Sequence, residues 1–126
     1  MSNKTALVGM HNEAISELTS IVLGDKGYVA ESDSKLEGVL KLIREKHYDA
    51  VITDINLGKA GSDNIGPGIE IYKGLERALN EGSTKLVFIS GHPDNQVNFS
   101  NQFGSQKNVA YLEKPYTNDQ LLALLD

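Results

Sequence analysis

At 126 residues, with 40% hydrophobic and 23% charged, the chain is long enough to enclose one core and too apolar to remain disordered. A net charge of −5 argues against binding a nucleic-acid backbone, and no run approaches the roughly 18–20 apolar residues of a membrane span. Cysteine is absent, which excludes disulfides, thiol catalysis and thiolate metal sites together. The polar start, Met1 to Thr5, does not read as a signal peptide, so a cytoplasmic location is the default expectation.

Taken in chain order, short β-branched runs alternate with stretches of helical spacing. Residues 5–9 read as a first strand. Ile15, Leu18, Val22 and Leu23 then fall on one face of a first helix. A weaker strand lies near Tyr28–Ala30. It leads to a second helix with Leu36, Val39, Leu40 and Ile43 inward, opened by a capping box of Ser34 and Glu37. Residues 49–54 form an apolar strand, followed by a glycine-rich loop from Gly58 to Gly68 and a third helix marked by Ile71, Leu75, Ala78 and Leu79. Residues 85–90 form the fourth strand. The segment 93–108, crowded with Asn, Gln and Ser and broken by Gly104, predicts only a short or frayed helix. Residues 109–113 make the fifth strand, and a last helix capped by Thr117 and Gln120 carries Leu121, Leu122, Leu124 and Leu125.

Five β-α repeats of this kind predict one domain over residues 1–126, an open, doubly wound, five-stranded parallel α/β sheet with helices on both faces. In such sheets the functional crevice lies beyond the carboxyl ends of the strands. The first strand there runs into Met10, His11, Asn12 and Glu13, the third ends at Asp54 and the fourth at Ser90, and the fifth precedes Lys114 and Pro115. A strand-end carboxylate can attack phosphorus to form an aspartyl phosphate, whose oxygens a lysine and a serine hydroxyl can then hold.

The residues around Asp54 (Asp49 to Leu57), around Ser90 (Val87 to Asp94) and around Lys114 (Tyr111 to Tyr116) together resemble a response-regulator receiver domain from two-component signalling, over nearly the whole chain. The resemblance implies a flavodoxin-like strand order of 2-1-3-4-5. It implies Asp54 as phosphoacceptor, charged by a histidine kinase or a phosphotransfer protein, with Ser90 as the switch hydroxyl and Lys114 pairing with the phosphoryl group. Tyr111 would be the aromatic switch, Pro115 would follow a cis peptide bond, and Asn56 would lend its backbone carbonyl to a metal beside Asp54. The chain stops at Asp126 with no output domain, so a stand-alone or excised receiver that signals by docking on a downstream protein is expected.

Two departures qualify that expectation. The family places an acidic pair after the first strand to hold magnesium, and here those positions carry Met10 and His11. Thioether and imidazole are poor ligands for a hard cation, so magnesium-dependent transfer to Asp54 is expected to be slow or absent unless Asn12 or Glu13 slips into place. The loop after Asp54 is also several residues longer than the family's. His11 and His92 read as exposed loop residues, and His47 as a cation near the end of the second helix.

An atypical receiver and a pseudo-receiver, which would bind partners without phosphorylation through magnesium, both remain open. A haloacid-dehalogenase-like phosphatase would need a second aspartate where Asn56 stands, and a flavin carrier would need a phosphate-binding loop after the first strand. No enzymatic activity beyond self-catalysed transfer to Asp54 is therefore expected.

Overall fold

A computed structural model describes residues 4–59 and 61–126. Residues 1–3 of the polar start and residue 60 of the glycine-rich loop lie outside these. The order is β1 (Lys4–Gly9), α1 (Glu13–Asp25), β2 (Tyr28–Asp33), α2 (Leu36–Glu45), β3 (Ala50–Asp54), α3 (Gly66–Glu81), β4 (Lys85–Ser90), α4 (Asn95–Phe103), β5 (Val109–Glu113) and α5 (Asn118–Ala123). All five strands pair in parallel in the order β2-β1-β3-β4-β5, the flavodoxin-like arrangement.

Alternation along the strands divides the core into two layers. Leu7, Val51, Leu86 and Phe88 face a layer with Val39, Ile43, Ile71, Leu75, Leu79 and Phe103. Ala6, Val8, Ala50, Ile52, Val87 and Ile89 face the opposite one, with Leu23, Leu121 and Leu125. The central strand β3 is buried along its whole length, as helices on both faces require.

Several local expectations need correction. The inward face of α1 is Ser16, Thr19 and Leu23, whereas Ile15 and Leu18 are exposed. Thr19 Oγ1 and Ser20 Oγ donate to the Ile15 and Ser16 carbonyls, at 2.8 and 3.0 Å. Hydroxyls satisfied within the helix can be turned inward, and apolar spacing alone does not register that option. The capping box at Ser34 does not form: the N-cap of α2 is Lys35, without a side-chain cap bond, and Asp33 Oδ1 accepts from the Lys35 amide at 2.8 Å instead. The strand near Tyr28 runs on to Asp33. The third helix begins at Gly66, so Gly66, Pro67 and Gly68 form its first turn and not the end of the loop. Gly68 is needed there: its amide donates to the Ile55 carbonyl at 2.9 Å, and a Cβ would lie 2.9 Å from that oxygen. The Thr117 and Gln120 capping box on α5 does form, and α4 is short.

Candidate functional site

Strand parity aims the side chains of the crevice. Asp54 continues the Ala50 and Ile52 series, while Ser90 and Tyr111 continue the Leu86–Phe88 and Val109 series and point to the opposite layer. Asp54 is almost fully enclosed, with 2% of its side chain exposed.

The two oxygens of Asp54 differ sharply. Oδ2 accepts the backbone N–H of His11 at 2.8 Å and lies 2.7 Å from His11 Nδ1. The other ring nitrogen, Nε2, accepts the Gly58 amide at 2.8 Å. An imidazole that accepts at Nε2 carries its proton on Nδ1, so the ring is neutral and donates to Asp54. His11 is therefore built into the crevice and is not a free loop residue. Gly58 adopts φ +88°, a left-handed conformation that glycine takes without strain. Oδ1, by contrast, has no hydrogen-bond partner among the described residues. The Lys114 ammonium stands 3.5 Å from it, beyond a good hydrogen bond but close enough for charge attraction.

Ser90 lies beside this carboxylate but is turned away from it. Its Oγ accepts from Asn95 Nδ2 at 2.8 Å and from the His92 amide at 3.0 Å. Asn95, fully buried at the start of α4, also reaches the Ser62 carbonyl at 3.3 Å, and Asn56 Nδ2 donates to that same carbonyl at 2.8 Å. Asn98 Nδ2 adds a bond to the Asp63 carbonyl at 3.2 Å. Three asparagines thus strap the lengthened loop to β3 and α4.

Tyr111 stacks on Phe99 at 5.3 Å, and its enclosed hydroxyl has no partner among the described residues. Burial pushes the Tyr111 phenol up. Burial also raises the Tyr116 phenol, partly offset by Thr19, and the Asp54 carboxylate adds to the rise. The Lys114–Pro115 bond is cis.

The donor set does not fit magnesium. Met10 is 2% exposed, and its sulfur takes part in the layer between β1 and α1, where Thr19 Oγ1 approaches it at 3.8 Å. Asn12 caps α1 by accepting the Ile15 amide at 3.1 Å, and Glu13 faces solvent, so neither slips into the crevice. The Asn56 carbonyl, expected to face a metal, accepts the Lys59 amide at 2.7 Å. Two N–H groups occupy the approach to Oδ2, directing positive charge where a cation would sit. Among the described residues there is no group of three or more acidic or histidine side chains placed to hold a metal.

Of the remaining histidines, His92 is half-buried, with Nδ1 accepting the Asp94 amide at 3.2 Å, which corrects its reading as exposed. His47 lies past the end of α2 and sits 3.6 Å from Asp49 Oδ1. Sequence reasoning missed Gly58, Ser62 and Asn95. The density of asparagine in the segment 93–108 was the available signal, but it reads equally well as a poor helix. No helix among the described residues is long and apolar enough to cross a membrane.

A five-stranded parallel sheet in this order is the flavodoxin-like α/β architecture, which solved receiver domains share. Sequence comparison makes the assignment specific: the chain belongs to the response regulator receiver domain family, whose profile matches residues 10–126. Similar curated proteins include putative NtrX-like response regulators of Rickettsia typhi and Rickettsia bellii, 32% and 30% identical over 127 residues. Each alignment covers 99% of this chain but only 25% and 24% of the relative, so the chain spans about a quarter of those proteins.

Among solved structures, a receiver domain from Clostridium thermocellum superposes with a TM-score of 0.75 at 22% identity, covering 97% of this chain and 90% of the other. The receiver domain of a sensor histidine kinase from Pseudomonas aeruginosa, with a magnesium ion coordinated in its active-site cleft, gives a TM-score of 0.71 at 16% identity, covering 98% and 95%. At these identities the likeness concerns the fold.

Proposed function

We propose that the chain, read as one module over residues 1–126, is the receiver of a two-component phosphorelay with Asp54 as its phosphoacceptor. The observation that carries this reading is the state of Asp54: enclosed, held through one oxygen, and free at Oδ1 with Lys114 at 3.5 Å. In the transfer, Oδ1 attacks the phosphorus of a phosphohistidine on a histidine kinase or a phosphotransfer protein. The O–P bond forms as the donor's N–P bond breaks, and the imidazole leaves with the electron pair. Lys114 then pairs with the phosphoryl oxygens. The Ser90 hydroxyl exchanges its bond with Asn95 for one to the phosphoryl group, and Tyr111 repacks against the changed β4–α4 segment.

The roughly −1.5 to −2 charges of a phosphoryl group would bias such a two-state surface, which a downstream protein reads by docking. The exposed Ile15 and Leu18 of α1 lie beside Pro115 and Tyr116 and give the donor protein an apolar rim next to Lys114. We assign the chain no enzymatic activity beyond this self-catalysed transfer.

A second reading is favoured by His11, which closes one side of Asp54: an interaction module that is not phosphorylated through magnesium. Incubation with acetyl phosphate, with and without magnesium, followed by intact-mass measurement, tests the two. A phosphoryl adduct that disappears in Asp54→Asn supports the phosphoacceptor. Absence of any adduct from small and protein donors supports the interaction module. Turnover of phosphate esters contradicts both.

A further inference from the structure

Resting on Asp54 as the phosphoacceptor, we propose that His11 is a positioning residue that takes the place of a divalent cation, holding Oδ2 so that Oδ1 attacks and transfer proceeds without magnesium. The backbone N–H and the Nδ1–H of His11 both converge on Oδ2, at 2.8 and 2.7 Å. Together they supply fixed positive dipoles on the side of the carboxylate where a metal ligand would be expected. The ring is not free to leave easily, because Gly58 donates to Nε2 at 2.8 Å and so fixes both its orientation and its tautomer.

The surroundings agree. Oδ1 keeps its lone pairs, since no donor among the described residues bonds to it. The oxygens a cation would need are engaged or absent: Asn56 O serves a turn, Asn12 caps a helix, and residue 10 contributes a buried thioether. A cation arriving at Oδ2 would have to displace two hydrogen bonds and face the N–H dipoles that made them. Compensation of the phosphoryl charge then falls to Lys114 and Ser90.

Titration of wild type, His11→Asp and His11→Asn with magnesium chloride by calorimetry tests the proposal apart from phosphorylation. His11→Asp supplies a second carboxylate beside Asp54 and is expected to bind magnesium at least about tenfold more tightly than wild type. His11→Asn keeps a side-chain N–H donor for Oδ2 and is expected to bind no better than wild type. Wild type binding as tightly as His11→Asp overturns the proposal; if His11→Asp does not fold, saturable magnesium binding by wild type that Asp54→Asn abolishes overturns it instead.

A second arm follows adduct formation from acetyl phosphate in the presence of a chelator. Wild type and His11→Asn are expected to react at rates within about twofold of those with magnesium, while His11→Ala, which removes the donor, slows about tenfold or more. A wild-type rate that collapses on chelation also overturns the proposal. If no protein forms an adduct, the phosphoacceptor reading fails, while the calorimetry still decides whether His11 occupies the cation's place.

Discussion

The two flanks of Asp54 are built in opposite ways. On the β1 flank a continuous chain of short hydrogen bonds runs from Asp54 Oδ2 through the His11 ring to the Gly58 amide, and every polar atom in it is satisfied. On the β4–β5 flank Lys114 stands off at 3.5 Å, Ser90 is turned to Asn95, and the two buried side-chain atoms without partners among the described residues, Asp54 Oδ1 and the Tyr111 hydroxyl, are both found. Buried polar atoms are almost always paired, so orphans gathered in one place mark where charge or hydrogen bonds are meant to arrive. If Asp54 is the phosphoacceptor, as proposed, one flank fixes the nucleophile and the other waits for what it attacks.

The largest effect should come from the waiting flank. Lys114→Met removes the cation beside Asp54 Oδ1, which on the proposed reading meets the phosphoryl oxygens, and is expected to slow adduct formation from acetyl phosphate by about a hundredfold. Because the Lys114 side chain is 38% exposed, its melting temperature should stay close to wild type, as a thermal denaturation curve would show. Were the lysine a part of the scaffold and not of the chemistry, that pattern would be reversed.

Asn95→Ala strikes the strap that holds Ser90 away from Asp54. It leaves a buried acceptor on Ser90 and a half-buried one on Ser62 with fewer donors and is expected to lower stability by about 1–3 kcal/mol in urea denaturation. It should also increase hydrogen exchange in residues 61–65 without affecting β1. On the closed flank, Gly58→Ala forces a side chain into φ +88° and should lower stability by about 1–2 kcal/mol. Its specific mark is a loosened His11 ring, visible as exchange broadening of the ring nitrogens.

The smallest effect belongs to a control far from the crevice. Tyr48 is 1% exposed and its hydroxyl donates to Glu31 at 3.2 Å. Burial, reinforced by Glu31, pushes its phenol up to about 12 from an ordinary 10.0. The raised value means the folded chain keeps the phenolic proton after the unfolded chain has lost it. This contribution is therefore complete below pH 10 and is lost as pH rises through about 12. Tyr48→Phe should lower stability at neutral pH by about 1 kcal/mol and flatten part of the alkaline decline, leaving adduct formation unchanged.

Much of this architecture was legible in the sequence, and what was not has identifiable causes. The strands at 5–9, 49–54, 85–90 and 109–113 announce themselves because buried parallel strands are apolar on both faces, and strand ends in a doubly wound sheet must face one crevice. That logic pointed to the crevice where Asp54 and Lys114 stand 3.5 Å apart, but not to the turning of Ser90 toward Asn95. It failed on α1, where Ser16 and Thr19 replace the apolar face, because an intrahelical bond such as that of the Thr19 hydroxyl leaves no trace in hydrophobic spacing. It failed on His11 because the role of an imidazole depends on what its two nitrogens meet, and Gly58 lies 47 residues away. The asparagine strap was hidden for a similar reason: Asn56, Asn95 and Asn98 are weak helix formers by composition, and only folding shows that they share one loop.

The central claim is that a neutral, Nδ1-protonated His11 occupies the cation side of Asp54. Nitrogen-15 spectra of the histidine rings, recorded for wild type and Asp54→Ala with and without millimolar magnesium, test it most directly. The account predicts for wild type a protonated Nδ1 and an unprotonated, hydrogen-bonded Nε2, unchanged by magnesium, with that tautomer preference lost in Asp54→Ala. A ring protonated on Nε2, or one that magnesium displaces from Asp54, would contradict it.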